Sequence, residues 1–368
     1  MDAAKPSLDL VRSVTDEHVL RALMRHRKLT RAELSAQTGI SKPTAGESVR
    51  RLAERGLVVD TGERTQGGRG RGRVGSYYAL AASLGVAVAV GIAPEGVVVE
   101  CVDAYGDTVA RAEREIGRPA EPAAVAGALR SAVASLGAGV PRLAVVSAAD
   151  PVDRATGRLV HLPDSPFLVG ELDPVAILSP LVRGPVVVDN DVNWAARAAQ
   201  VDAGDFAYLY LGEGLGCAVV SDGEIRRGSA GLAGEIAHLV TEGPRGRAVR
   251  LIDVFAELGL RCPGSTAIDV GLLLARCADA VAGARALRET LGRAVAGVVA
   301  AIVAVTDPEV VLVGGSWGPA LLGAVRAAVA ELPRGVRLQA APVTDEPALA
   351  GARLDAIERL RAAITAAR

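Results

Sequence analysis

Two helix starts placed close together, at Thr30 and Ser41, constrain this chain more than any other feature. The first is Thr30-Arg-Ala-Glu33, in which the Thr30 hydroxyl can cap the Glu33 amide while the Glu33 carboxylate reaches back. That pattern predicts a helix to about Thr38, stopped by Gly39 in a positive-φ conformation and followed by Ile40 as a buried plug. Ser41 then caps the next helix, with Pro43 in its first turn. Upstream, Val19, Leu20, Leu23 and Met24 form one apolar stripe on a helix from Asp16 to His26. The third helix, about Lys42 to Arg55, puts Ala45, Val49 and Leu52 on one face and leaves Lys42, Thr44, Ser48 and Arg51 on others. Gly56 ends it. Leu57–Val59 and Ser76–Leu80 flank a Gly/Arg-rich tip and predict a two-stranded hairpin. Residues 1–80 therefore read as a winged helix-turn-helix domain.

Charge agrees with that reading. Net charge over all 368 residues is -1, yet residues 1–80 hold fifteen Lys and Arg against nine Asp and Glu, and the remainder is acidic, 26 against 33. A basic head suggests a polyanionic partner. A helix of this size enters the major groove, so Lys42, Thr44, Ser48 and Arg51 are the candidate base and phosphate contacts, with Arg69, Arg71 and Arg73 of the tip on phosphate or the minor groove. Aromatic residues are 3% of the chain, so a stacking platform for single strands is absent and duplex DNA is the preferred target. The competing reading is a three-helix protein-interaction module with a disordered basic linker.

Residues 81–368 form the body. Gly85–Ile92 and Gly96–Val102, split by Pro94, predict a hairpin; Leu143–Val146, Val186–Asp189, Ala207–Leu211, Ala218–Ser221 and Val310–Val313 are further strands between Ala-rich helices, an α/β architecture. Half the chain is apolar, enough for two or three cores. The four cysteines, Cys101, Cys217, Cys262 and Cys277, show no CxxC pair and read as reduced thiols, mostly in the core. No run of about 18 uncharged apolar residues occurs, and the N-terminal segment lacks a signal-peptide layout, so a cytoplasmic location without a membrane partner is expected.

Several body motifs, met in order along the chain, resemble the ROK family of bacterial repressors, open reading frames and sugar kinases. Asp189-Asn-Asp-Val-Asn-Trp-Ala-Ala is similar to that family's sugar-binding and catalytic-base segment, Leu211-Gly-Glu-Gly-Leu-Gly to its second phosphate loop, and Gly231-Leu-Ala-Gly-Glu-Ile-Ala-His to its sugar-contacting segment. Ala149-Asp-Pro-Val-Asp, Arg158-Leu-Val-His-Leu-Pro and Asp307-Pro-Glu-Val-Val-Leu-Val-Gly-Gly follow further landmarks. The resemblance covers essentially the whole chain. It implies two lobes of actin-like or ribonuclease-H-like topology, the first about 81–187 plus a C-terminal helix and the second about 188–345. The cleft between them would hold a sugar on Asn190, Asp191, Glu235, His238 and His161, with Asp191 in the position of the kinases' base. His238 is open to a structural role as well.

The chain departs from the family where phosphate is handled. In place of a DxGGT-like loop stands Gly91-Ile-Ala-Pro-Glu95, and Glu213 replaces a threonine hydroxyl in the second loop. A carboxylate about 4 Å from a phosphate charge costs on the order of 1 to 4 kcal/mol per charge pair. The family's zinc-binding cysteines are missing from Glu242-Gly-Pro-Arg-Gly-Arg-Ala-Val-Arg250, so neither zinc nor any other cofactor is expected, and Asp253 is a weak stand-in for the last sugar-contacting glutamate. Asp150 occupies a glycine position near the sugar site. The combined expectation is a transcription regulator, a repressor, without enzymatic activity. It would bind an inverted-repeat operator as a homodimer or homotetramer, with half-sites about 34 to 36 Å apart. Its effector would be a sugar or sugar phosphate. Alternatives are an ATP-dependent sugar kinase with a regulatory head, and a DNA-binding protein with a ligand-free dimerisation body.

Overall fold

A computed structural model describes residues 8–65, 75–137, 139–162, 166–199 and 201–366. Its head runs α1 (Leu8–His26), β1 (Lys28–Thr30), α2 (Arg31–Thr38), α3 (Lys42–Glu54), β2 (Val58–Arg64) and β3 (Ser76–Leu80). The capping box forms, with the Glu33 amide donating to Thr30 Oγ1 at 3.2 Å and the Thr30 amide to Glu33 Oε2 at 2.8 Å. Gly39 stops α2 at φ 72°, and Ser41 Oγ accepts the Thr44 amide at 3.3 Å to start α3. Two differences from expectation stand out. α1 begins a full two turns before Asp16, and β1 pairs antiparallel with β3, so the wing is a three-stranded sheet in the order β1-β3-β2. Three residues are too few for an alternating pattern to register in sequence. The tip carrying Arg69, Arg71 and Arg73 lies outside the described residues.

The first lobe comprises β4 (Ala87–Ala93), β5 (Gly96–Val102), β6 (Thr108–Arg114), α4 (Pro122–Ser135), β7 (Ala144–Ala148), α5 (Pro174–Leu178), β8 (Val186–Asn190) and the interlobe helix α6 (Asp191–Ala199). The second holds β9 (Phe206–Leu211), β10 (Leu215–Ser221), β11 (Glu224–Ile225), β12 (Val240–Glu242), β13 (Ala248–Arg250), α7 (Leu251–Glu257), α8 (Val270–Arg276), α9 (Ala284–Thr306), β14 (Val310–Gly314), α10 (Gly318–Val329) and β15 (Arg337–Ala340), and α11 (Pro347–Ala366) follows. Each lobe is built on a five-stranded sheet, β6-β5-β4-β7-β8 and β11-β10-β9-β14-β15. Both orders read third, second, first, fourth, fifth, with an antiparallel meander followed by two parallel strands. All of β8 belongs to the first sheet, which moves the lobe boundary from residue 187 past Asn190.

The cores explain how these pieces hold. In the second lobe Phe255 and Trp317 meet at 5.6 Å between ring centroids, beneath the Leu291, Val295, Val298 and Ile302 stripe of α9. By length and composition α9 could cross a membrane, but half of its apolar window is buried in this core. α11 returns to the first lobe and crosses α6 so closely that a Cβ on Gly351 would stand 1.9 Å from the Trp194 carbonyl oxygen. One apolar cluster continues from Val19, Leu23, Val49 and Leu52 of the head through Leu80 and Leu84 to Ala87, Val102 and the Ala352, Ala356 and Leu360 face of α11. Three cysteines are buried and Cys262 is half-buried; all four are free thiols.

Candidate functional site

In the head, α3 offers its first turn to solvent: Ser41, Lys42, Pro43 and Thr44 are exposed. Ser48 and Arg51, expected beside them, face the other way. Ser48 is fully buried and donates to Asp16 Oδ1 at 2.5 Å; Arg51 donates to the same carboxylate at 2.6 and 3.3 Å. These two residues bolt α3 to α1 and are corrected from DNA contacts to structural ones. Helical spacing carried the signal: Ser48 is three residues after Ala45 and four before Leu52, and Asp16 stands three and four before Val19 and Leu20. Polar character alone places both residues outside. Near the same surface, Arg31 lies over the Tyr78 ring at 5.2 Å and its side chain borders Gly46 of α3, a cation that sequence reasoning missed.

In the body, parallel strands of both sheets end at one place, where such folds hold ligands. Ala93 ends β4, Ala149 and Asp150 follow β7, Asn190 ends β8, and Gly214 and Ser316 follow β9 and β14. All of them line a cavity of about 390 Å³, in the size range of small-molecule sites. Asp191, Glu235 and His238 line it as well. The Asn190 amide is turned to the protein: Nδ2 donates to the Asp150 and Ala148 carbonyls at 3.3 and 3.5 Å, and Oδ1 accepts the Val192 amide at 2.9 Å. That brace fixes Asp191, the first residue of α6, at the cavity wall. Gly234 brings Glu235 in, because its carbonyl accepts the Cys217 amide at 2.9 Å and a Cβ at its φ of 98° would meet the Cys217 oxygen at 1.8 Å.

Burial pushes the Asp191 carboxyl up to about 7, and like-charge repulsion from Glu235, Asp150 and Glu95 adds to it despite the Val192 amide. Burial, then Asp150, likewise raises Glu235 to about 7. Asp189, two residues before Asp191, is a cross-lobe tie instead: it accepts Asn193 Nδ2 at 2.8 Å and Arg227 Nε at 2.6 Å. His161 is corrected. It is exposed, its Nδ1 lies 3.1 Å from the Leu168 carbonyl, and its neighbour Leu162 lines the cavity in its place. Asp253 is also off the wall, held by Arg250 and Arg261. The Glu242–Arg250 stretch folds as the β12–β13 turn.

At the mouth, sequence reasoning missed Arg118. The β4–β5 turn is reduced to Pro94-Glu95, and the β9–β10 turn carries Glu213. Arg118, between β6 and α4, donates to the Pro94 carbonyl at 3.1 Å and to both Glu213 oxygens at 2.9 and 3.0 Å, tying the two lobes' turns together. A lone arginine in a Pro-containing linker carries no pattern that would single it out.

Comparison with known proteins bears on both ends of the molecule. Residues 88–263 match the ROK family and residues 15–69 the MarR family. N-acetylmannosamine kinase of Escherichia coli O127:H6 is 31% identical over 265 residues, 66% of this chain and 89% of that enzyme. Among solved structures, a ROK family transcriptional regulator homologous to the E. coli MLC protein superposes over 96% of this chain and 99% of its own, with TM-score 0.64 at 18% identity. A ROK family glucokinase from Streptomyces griseus, in complex with glucose and AMPPNP, covers 74% of this chain and all of its own, with TM-score 0.57 at 22% identity. With a MarR-like winged helix-turn-helix head on a two-lobed, sugar-kinase-like α/β body, this chain belongs to the ROK family.

Proposed function

We propose that this chain is a sequence-specific DNA-binding transcription regulator, a repressor, whose interlobe cavity takes a small polyhydroxylated effector and which performs no phosphotransfer. It acts in the cytoplasm as a homodimer or dimer of dimers on an inverted repeat. The observation that carries this reading is the joining of a winged head, its α3 start open to a major groove, to a cleft whose phosphate side presents carboxylates. Glu95 and Glu213 stand on the two turns that in a kinase would need donors for phosphate, and Arg118 already engages one of them. Where Gly91 replaces the kinases' aspartate, the Leu349 methyl is 3.8 Å from the place a Cβ would take, an apolar neighbour for a metal or phosphate.

Lys42 and Thr44 are the α3 contacts, and Arg31 joins them from α2; Asp191, Glu235 and His238 face the effector. Control follows if the effector binds one lobe arrangement more tightly than the other, since only differential affinity shifts an equilibrium. The test is selection of bound fragments from randomised duplex DNA followed by mobility-shift titration at physiological salt. Enrichment of a palindrome, with Lys42→Ala weakening binding and lowering the salt dependence by about one phosphate contact, is the expected result. Equal affinity for any duplex would overturn it. Retention of Asp191 and the identity to a kinase keep a second reading in view, and sugar-dependent ADP release abolished by Asp191→Asn would establish that one instead.

A further inference from the structure

The cavity has a sign of charge that its occupant must match. Five acidic residues line it, Glu95, Asp150, Asp191, Glu213 and Glu235, and no Lys or Arg does among the described residues. Among the described residues His238 is the one basic side chain on the wall. For Asp191 and Glu235 this departs from the rest of the molecule, where buried carboxylates are met by guanidinium groups: Asp16 by Arg51, Glu100 by Arg111, Asp189 by Arg227 and Asp355 by Arg197. Glu213 has Arg118 at the mouth. Deeper in, Asp191 accepts one backbone amide, and Glu235 takes no hydrogen bond or ion pair from any described residue. Asp150, Asp191 and Glu235 reach the space from three separate elements, the loop after β7, the start of α6 and the turn after Gly234.

Resting on the reading of this cavity as the effector site, we infer that the ligand is a compact polyhydroxylated cation, a sugar bearing a free protonated amine, and not a sugar phosphate. An ammonium supplies three donors and a positive charge to Asp191 and Glu235, while the hydroxyls bond the remaining oxygens of the wall. A phosphate would set two negative charges against these acidic side chains, with no arginine among the described wall residues and Arg118 at the mouth already taken by Glu213. An N-acetyl group removes the charge. Burial holds the Asp191 and Glu235 carboxyls up to about 7, and an ammonium beside them would keep them ionised, so binding releases protons.

The experiment is calorimetric titration of the full chain at pH 7 with glucosamine, mannosamine and galactosamine, each beside its N-acetyl derivative and its 6-phosphate. At least one free amine is expected to bind about tenfold or more tightly than both derivatives, with proton release seen as a dependence of the heat on buffer ionisation enthalpy. Glu235→Gln should shrink that preference to about threefold or less while a free sugar still binds, and Asp150→Asn serves as the second variant if the first does not fold. Tighter binding of an N-acetyl or phosphorylated form, or silence from every amine at about 10 mM, would overturn the inference. Operator binding is read separately: a negative titration beside intact operator selection removes only the ligand assignment, and amine binding without operator selection removes only the regulator.

Discussion

Asp16 accepts hydrogen bonds from Ser48 and Arg51 inside the head, so removing either donor leaves a buried charge short of partners. Arg51→Ala should destabilise the head by about 1 to 3 kcal/mol in chemical denaturation, whereas Lys42→Ala, on an exposed first turn, should stay within about 0.5 kcal/mol and act on DNA affinity alone. Equal stability of the two variants would return Arg51 to the DNA-reading surface. Asp191 and Glu235 give a second prediction at this scale. Their folded values near 7 lie above the ordinary carboxylate range, so their contribution is complete below about pH 4 and is lost as pH rises toward 7, where the unfolded chain has already released its protons. Melting temperature should fall between pH 5 and 8, and an Asp191→Asn, Glu235→Gln double variant should flatten that slope. The sequence showed which carboxylates would gather, because they sit in ordered motifs; it could not show that Asn190 spends its amide on its own loop, since that depends on where the end of β7 arrives.

At the scale of elements, what was legible depended on length and local chemistry. The capped helices of the head and the apolar strands β4, β5, β7, β8, β9 and β14 announce themselves by caps and runs of Val, Ile and Leu. β1, β11, β12 and β13, two or three residues each, are held in place by the strands they pair with. β6 escaped for another reason: its Thr108–Arg114 segment alternates charged and small residues on an edge, without the apolar face that marks a strand. The Arg118 tie between two turns is an element-scale device. Both partners are partly solvated, so the ion pair itself adds at most about 1 kcal/mol. Arg118→Ala should therefore leave the melting temperature nearly unchanged yet speed amide exchange in residues 93–96 and 212–214; unchanged exchange would mean the turns are held by their own hairpins.

At the scale of the molecule, head and body share one core. Arg27 forms a two-bonded ion pair with Asp107, the Tyr105 hydroxyl accepts the Leu80 amide at 3.1 Å and donates to the Arg27 carbonyl at 3.4 Å, and Arg361 of α11 holds the Ala104 and Tyr105 carbonyls. Leu360→Ala, at a fully buried α11 position in that cluster, should cost about 2 to 5 kcal/mol and raise exchange in α1 as well as in β4. A loss confined to the body would show that the head is seated independently. The same arrangement orders events during synthesis. A ribosome makes the winged head first, but α11, which covers β4 and touches α1, can be added only after residues 8–346 have been made. Until then the head's inner face and the first sheet stay open, so a nascent chain paused within the second lobe would present sticky surface to chaperones on both the head and the first lobe.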